Sequence, residues 1–217
     1  GVTLGTTLFN KVSLTGTFSG QADNLSKRQM FTTAGYVYAA NASTRLGNHF
    51  NISASYNGYL QTQYDGTVKV NDSTRINRVM HSASLSPSYS YDTDMLGHTA
   101  SMSLNYTSNK DLNPYAKGET DVQTMAFGLS YSMDAKPIET NFTLSFSHQD
   151  SKGFSSHYRS DVLSLGASRS FLKEKNLNFS GTLSLCYNEI KRQSKSLSMG
   201  CDLSANYTYK EAHMFSA

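Results

Sequence analysis

The chain has few charges, no long apolar run and only two cysteines, and each shortage excludes something. No apolar stretch approaches the ~18 residues that mark a membrane-spanning helix. Charged residues make up 16% of the 217 positions, and most fall between the patterned segments. A soluble sheet normally carries Lys and Glu on its solvent face; here that face would be Ser, Thr, Asn and Gln. No HExxH or paired-cysteine spacing surrounds the six histidines, so no metal site or cofactor is expected. No basic stripe interleaved with aromatics points to nucleic acid. The net charge of +3 selects no partner; Lys27, Arg28, Lys191, Arg192 and Lys195 read foremost as solvated loop residues. Linkers, low-complexity tracts and composition shifts are also missing, so residues 1–217 read as a single domain.

What the chain does have is alternation. One segment places Phe50, Ile52, Ala54 and Tyr56 on one face, with Asn51, Ser53, Ser55 and Asn57 on the other. Another sets Ala100, Met102, Leu104 and Tyr106 against Ser101, Ser103 and Asn105. The run from Leu177 to Tyr187 sets Phe179, Gly181, Leu183 and Leu185 against Asn178, Ser180, Thr182 and Ser184. A period of two means β-strand, because successive side chains leave opposite faces. Hydrophobic content is only 38%, yet a sheet with one wet face keeps its mean hydropathy low while the alternation carries the signal.

The apolar faces end in aromatics. Segments leaving a short link end theirs on Phe18, Tyr56, Tyr106, Phe146 and Tyr187, and segments entering the next short link end on Tyr38, Tyr91, Tyr131, Phe171 and Tyr209. In a folded meander these would form two rings, one at each rim, of the kind that favours the headgroup level on either side of a hydrocarbon layer. The segments run roughly 10–13 residues, longer than the ~5–6 of a soluble strand and close to the ~9–11 tilted residues that cross a bilayer. Short links at Phe9–Lys11, Ser43–Asn48, Asp92–Gly97, Met133–Pro137, Leu172–Asn176 and Lys210–Ala212 interleave with longer ones at Gly20–Gln29, Gln63–Asn77, Thr107–Asp121, Gln149–Ser160 and Asn188–Lys195.

On this architecture the chain resembles the outer-membrane β-barrel superfamily of Gram-negative bacteria over nearly its whole length. The resemblance implies an all-β fold, a transmembrane antiparallel meander barrel with short turns in the periplasm and long loops outside. It also implies outer-membrane lipid and lipopolysaccharide as surroundings, with other outer-membrane proteins or lipoproteins as further partners. Counting Val2–Leu8 and the short final segment from His213 gives twelve segments. These would close as a barrel of twelve or form part of a larger one. Many members of the superfamily end on an aromatic residue, whereas this chain stops on Ser216-Ala217, so truncation at one or both ends is expected.

Twelve strands or more leave a lumen wider than side chains fill. Asn51, Ser53, Ser55, Ser101, Ser103, Asn178, Ser180, Thr182 and Ser184 would line it, which favours a polar-lined channel of porin or transporter type. The alternative is a non-conducting barrel that serves as subunit or scaffold in a larger outer-membrane complex. A TonB-dependent transporter stands third, since it also needs a plug domain and an energy-coupling segment. Enzyme readings fare worse. The outer-membrane phospholipases place a catalytic His two residues before Ser; here His148 and Ser151 are three apart, which on a strand sends them to opposite faces. Register also separates the cysteines: Cys186 should lie opposite about Ser198, with Cys201 on the other face and no disulfide between them. Pro87 should need a bulge, and Arg169 should sit on the apolar face near the short-turn rim.

Overall fold

The computed structural model describes residues 1–9, 11–24, 26, 28–116, 118, 120–171, 177–209 and 213–216. Twelve strands follow one another among these: β1 (Val2–Leu8), β2 (Val12–Ala22), β3 (Phe31–Leu46), β4 (Phe50–Asp65), β5 (Asn77–Asp92), β6 (Leu96–Asp111), β7 (Val122–Ala135), β8 (Thr140–Gly153), β9 (His157–Phe171), β10 (Leu177–Ile190), β11 (Ser194–Tyr209) and β12 (His213–Ser216). A short 3-10 turn, Lys136–Ile138, joins β7 to β8. The strands pair in chain order as one antiparallel sheet, and β1 and β12 are not hydrogen-bonded to each other among the described residues. The fold is therefore an all-β antiparallel meander, as expected and consistent with a barrel wall.

The ladders run without a slip. Tyr89 pairs with Ala100, Ala100 with Tyr131, Tyr131 with Leu144, Leu144 with Leu165, Leu165 with Leu183 and Leu183 with Cys201. The neighbouring polar rung reads Ser88, Ser101, Ser130, Ser145, Ser164 and Ser184 across β5 to β10. Because directly opposed residues share a face, these central rungs gather apolar residues on one side of the sheet and hydroxyls on the other.

Among the described residues no second layer covers either face. Among the described residues the buried apolar side chains are only Ala34, Val70 and Ala135. The accessible surface is 14995 Å², whereas a soluble monomer of 23.9 kDa would expose roughly 9,900 Å². Leu144, Leu165, Leu183 and Leu203 are 46%, 54%, 51% and 80% exposed on the apolar face. Water would penalise that face heavily, at ~25 cal/mol per Å².

Several expectations need correction. β3 to β11 have 14–16 residues, not 10–13, because ladders continue past the last apolar residue wherever polar side chains keep the same parity. The links expected at Gln149–Ser160 and Asn188–Lys195 shrink to 154–156 and 191–193, and that at Ser43–Asn48 to 47–49. The other three long links remain open at 23–30, 66–76 and 112–121. Those expected at Leu172–Asn176 and Lys210–Ala212 lie outside the described residues. Pro87 makes no bulge: Leu85 pairs with Leu104 and Ser88 with Ser101 in one register. Its ring interrupts the ladder toward β6, while pairing toward β4 continues through Ile52.

The cysteine expectation holds. Cys186 lies opposite Ser198 and Cys201 opposite Leu183, and both thiols are free. Directly opposed residues on antiparallel strands have Cα atoms ~4.5–5.5 Å apart, within disulfide range. Ser198→Cys in a Cys201→Ser background should therefore cross-link to Cys186 on mild oxidation, while the wild-type pair stays reduced. Non-reducing mass spectrometry of the digested protein reads both outcomes. A native Cys186–Cys201 bond would show that this register is wrong.

Candidate functional site

Two surfaces carry the functional information: the polar face and the rims of the apolar face. On the polar face, Asn51, Ser53 and Ser55 of β4, Ser101 and Ser103 of β6, and Asn178, Ser180, Thr182 and Ser184 of β10 share one side by register. Hydroxyls bond across strands at 2.7 Å between Ser55 and Ser84, 2.6 Å between Ser101 and Ser130, and 2.6 Å between Ser180 and Ser204. These pairs satisfy part of each hydroxyl and leave its other lone pairs free for water or a polar solute. Small side chains keep the face low: a Cβ on Gly128 would meet the Ser103 Oγ at 2.6 Å. The acidic Asp202 stands opposite Thr182.

The aromatic positions fall into two rows. At the long-loop rim, Phe18 stacks on Tyr36 at 6.4 Å, and Tyr38 lies 6.1 Å from Tyr56. Both tyrosine hydroxyls reach Nδ1 of His81, at 3.4 Å and 2.8 Å. Tyr106, Phe146 and Tyr187 continue this row on β6, β8 and β10, and the Tyr187 hydroxyl donates to Glu189 at 3.1 Å. Tyr38 was expected at the opposite rim. It pairs directly with Phe18, because β3 runs on to Leu46 and leaves Tyr38 far from the short turn.

At the short-turn rim, Tyr91 packs edge-on against His49 at 5.3 Å, and His98 Nδ1 lies 2.7 Å from the Tyr131 hydroxyl. Phe171 meets Phe179 at 5.7 Å, and the Arg169 guanidinium sits 4.8 Å from the Phe171 ring centre. Arg169 is thus where its parity put it, with its charge spread against an aromatic face. The side chain of Tyr209 lies outside the described residues. On β10 the rows are eight positions apart, from Phe179 to Tyr187. At ~3.3 Å per residue and a tilt of ~40° this spans on the order of 20 Å, close to the ~25 Å apolar band of an outer-membrane barrel.

One group escaped sequence reasoning. Above Phe146 the apolar-face parity of β8 continues through His148, Asp150 and Lys152, facing His157, Arg159 and Asp161 of β9. His148 Nδ1 lies 2.6 Å from Asp161, Arg159 bonds Asp161 at 2.8 Å, and Lys152 reaches Asp150 at 3.3 Å. His157 closes on the other oxygen-bearing partner, Asp150. Glu189 of β10 pairs with Lys195 of β11 at 3.2 Å. The six side chains of β8 and β9 form one charged panel, and His148, Asp150, His157 and Arg159, with Glu189 and Lys191, border a depression of about 290 Å³. The signal was present as charges at strand parity, but in segments that read as loops. His148 and Ser151 leave opposite faces, and Ser151 bonds Thr124 at 3.0 Å.

No protein-family model matches the chain, and no curated protein matches it. Among solved structures it resembles the siderophore receptor PiuA from Acinetobacter baumannii, with a TM-score of 0.60 at 9% identity. The match covers 96% of this chain and 45% of the receptor chain, so this chain spans less than half the length of the protein it matches. The likeness is one of fold.

The rim rows offer a direct test. The Tyr38 ring lies over Gly58, where an added Cβ would come within 2.1 Å of it. Gly58→Val should displace the ring and cost ~1–3 kcal/mol, as overpacking does. In a Tyr38→Ala background the same change should cost much less. Urea unfolding of the four proteins in detergent, read as a double-mutant cycle, measures the coupling.

Proposed function

We propose that the chain forms wall strands of a Gram-negative outer-membrane β-barrel of transporter type, with the serine-rich face lining a polar lumen. The observation that carries this reading is an apolar face, bounded by two aromatic rows, that no layer covers among the described residues. That arrangement is stable where hydrocarbon replaces water. The receptor neighbour supports a transporter over a soluble sheet, and its greater length fits a wall completed by further strands. An open ladder edge in hydrocarbon leaves each N–H and C=O unsatisfied at several kcal/mol apiece, so β1 and β12 call for neighbours.

The long loops are proposed to face the exterior. They are tied together rather than trailing: Thr67 and Val68 donate to the carbonyls of Gln29 and Met30 at 3.1 and 3.2 Å, and Asn113 Nδ2 donates to the carbonyls of Asp72 and Arg75. Protease added to intact cells should reach Lys69 and spare Lys136. Cleavage at Lys136 alone would invert the topology.

The faces separate by two neighbouring substitutions in β10. Leu183→Arg places a guanidinium among Leu165 and Cys201 on the apolar face, at a cost of ~2–4 kcal/mol near a bilayer midplane. Thr182→Arg enters the polar face opposite Asp202. It should cost little stability and shift ion selectivity toward anions. Refolding of both variants into one lipid, followed by planar-bilayer recording, checks the pair. A larger stability loss for Thr182→Arg would mean that the polar face is packed, and the lumen reading would fall. A stable, silent barrel that co-purifies with partners would favour the scaffold role.

A further inference from the structure

The polar face is not polar over its whole height. Toward the long loops, one rung across β3 to β7 reads Val37, Tyr59, Met80, Asn109 and Val122, each directly opposed to the next. Val37, Met80 and Val122 are 41%, 48% and 42% exposed, so the described loops leave this row uncovered. Polar rungs bound it on both sides. Asn57, Ser82 and Thr107 stand on the short-turn side, and Gln61, Arg78 and Asp111 on the long-loop side. Arg78 and Asp111 pair with each other at 3.7 Å, and the row itself carries no charge. Same-face residues on one strand stand ~7 Å apart. The row is therefore a low apolar strip with hydrogen-bonding borders.

Tyr59 lies down in this strip. Its ring edge and hydroxyl come within 3.1 Å of where a Cβ on Gly35 would stand, so the bare glycine lets the ring lie across the sheet instead of standing off it. Around the ring, a concavity of about 280 Å³ is lined by Val37, Met80, Val122, Asn57 and Asn109. Among the described residues neither the Asn57 nor the Asn109 carboxamide has a hydrogen-bond partner, which leaves donors and an acceptor on each. A recumbent ring, an uncharged floor and two free carboxamides select a flat, neutral solute with hydrogen-bonding groups along its edge. An aliphatic chain would leave both carboxamides unsatisfied. An ion would find the neighbouring counter-charges, Arg78 and Asp111, already paired.

We infer that this strip is a binding site for an uncharged planar heteroaromatic solute, its ring stacked on Tyr59 between Val37 and Met80 and its edge bonded to the carboxamides of Asn57 and Asn109. The inference rests on the reading of this face as a lumen wall and deepens it by naming a solute class. Stacking on an aromatic side chain holds a heteroaromatic base whatever its edge pattern. A carboxamide adds selectivity, because it donates to and accepts from neighbouring edge groups of such a ring at once.

Adenosine serves as the probe, with adenosine monophosphate as its charged counterpart and ribose as a neutral solute without the flat ring. Equilibrium dialysis against the full chain, with any strands that complete its wall, in detergent micelles reads the affinities. Wild type should bind adenosine, should bind the monophosphate no more tightly, and should not retain ribose. Tyr59→Ala should weaken adenosine binding about tenfold, while Tyr59→Phe preserves it. Asn109→Leu, which keeps the shape and removes the carboxamide, should weaken it as well. Tyr115→Ala, which deletes an exposed loop ring, should leave it unchanged. Where Tyr59→Ala does not fold, Asn109→Leu and the ranking of the three solutes decide. Absence of adenosine binding, tighter binding of the monophosphate, or equal affinities in wild type and Tyr59→Ala overturns the site. Vesicle flotation, measured in parallel, keeps the two readings apart: protein that floats but binds no adenosine loses only the site, whereas protein that does not float loses the lumen wall too.

Discussion

Everything in this structure depends on the unbroken register of its cross-strand ladder. Side chains alternate strictly along a strand, so a slip of one residue between two neighbours would send half of the sheet's leucines to the polar face. No slip occurs from β1 to β11, and even Pro87 removes a hydrogen bond without shifting the count. Register is what turns scattered serines on β5 to β10 into a single polar rung and scattered leucines into a continuous apolar surface. Local propensity contributes less, because Ser, Asn and Gly are poor strand formers in isolation. They sit in strands here because their neighbours do.

The second constraint is the lack of a packed interior. A soluble sheet buries its apolar face against a helix layer or another sheet, and this one buries it against no other layer among the described residues. Its stability must then come from the ladder, from cross-strand pairs such as Ser101–Ser130, and from the medium on the apolar side. Such a molecule is legible by boundaries rather than by a core. The aromatic rows mark where the apolar band ends, and the ion pairs around Asp150 and Asp161 mark where charge becomes tolerable on the same face.

Where the sequence misled, it did so for one reason. Apolar alternation reports only the part of a strand that is apolar on one side. β8 and β9 continue as strands through His148 to Gly153 and from His157, but their side chains are charged there, so these stretches read as loop. The same shortfall at Ser43–Asn48 hid the last turn-ward residues of β3 and sent Tyr38 to the wrong rim. By contrast, the faces of Cys186 and Cys201 followed from parity counted through one tight turn, and that count needed no knowledge of strand ends.

The sequence alone determined the all-β class, the two faces and which residue stands on which. These follow from a period of two and from the different solvation of Leu and Ser. Only the tertiary structure decided the pairing heights. Cross-strand neighbours are set by where each ladder stops and turns, and backbone hydrogen bonds form regardless of side-chain polarity. That is why the meeting of Tyr38 with Phe18, the meeting of His148 with Asp161, and the charged panel of β8 and β9 became visible only in three dimensions.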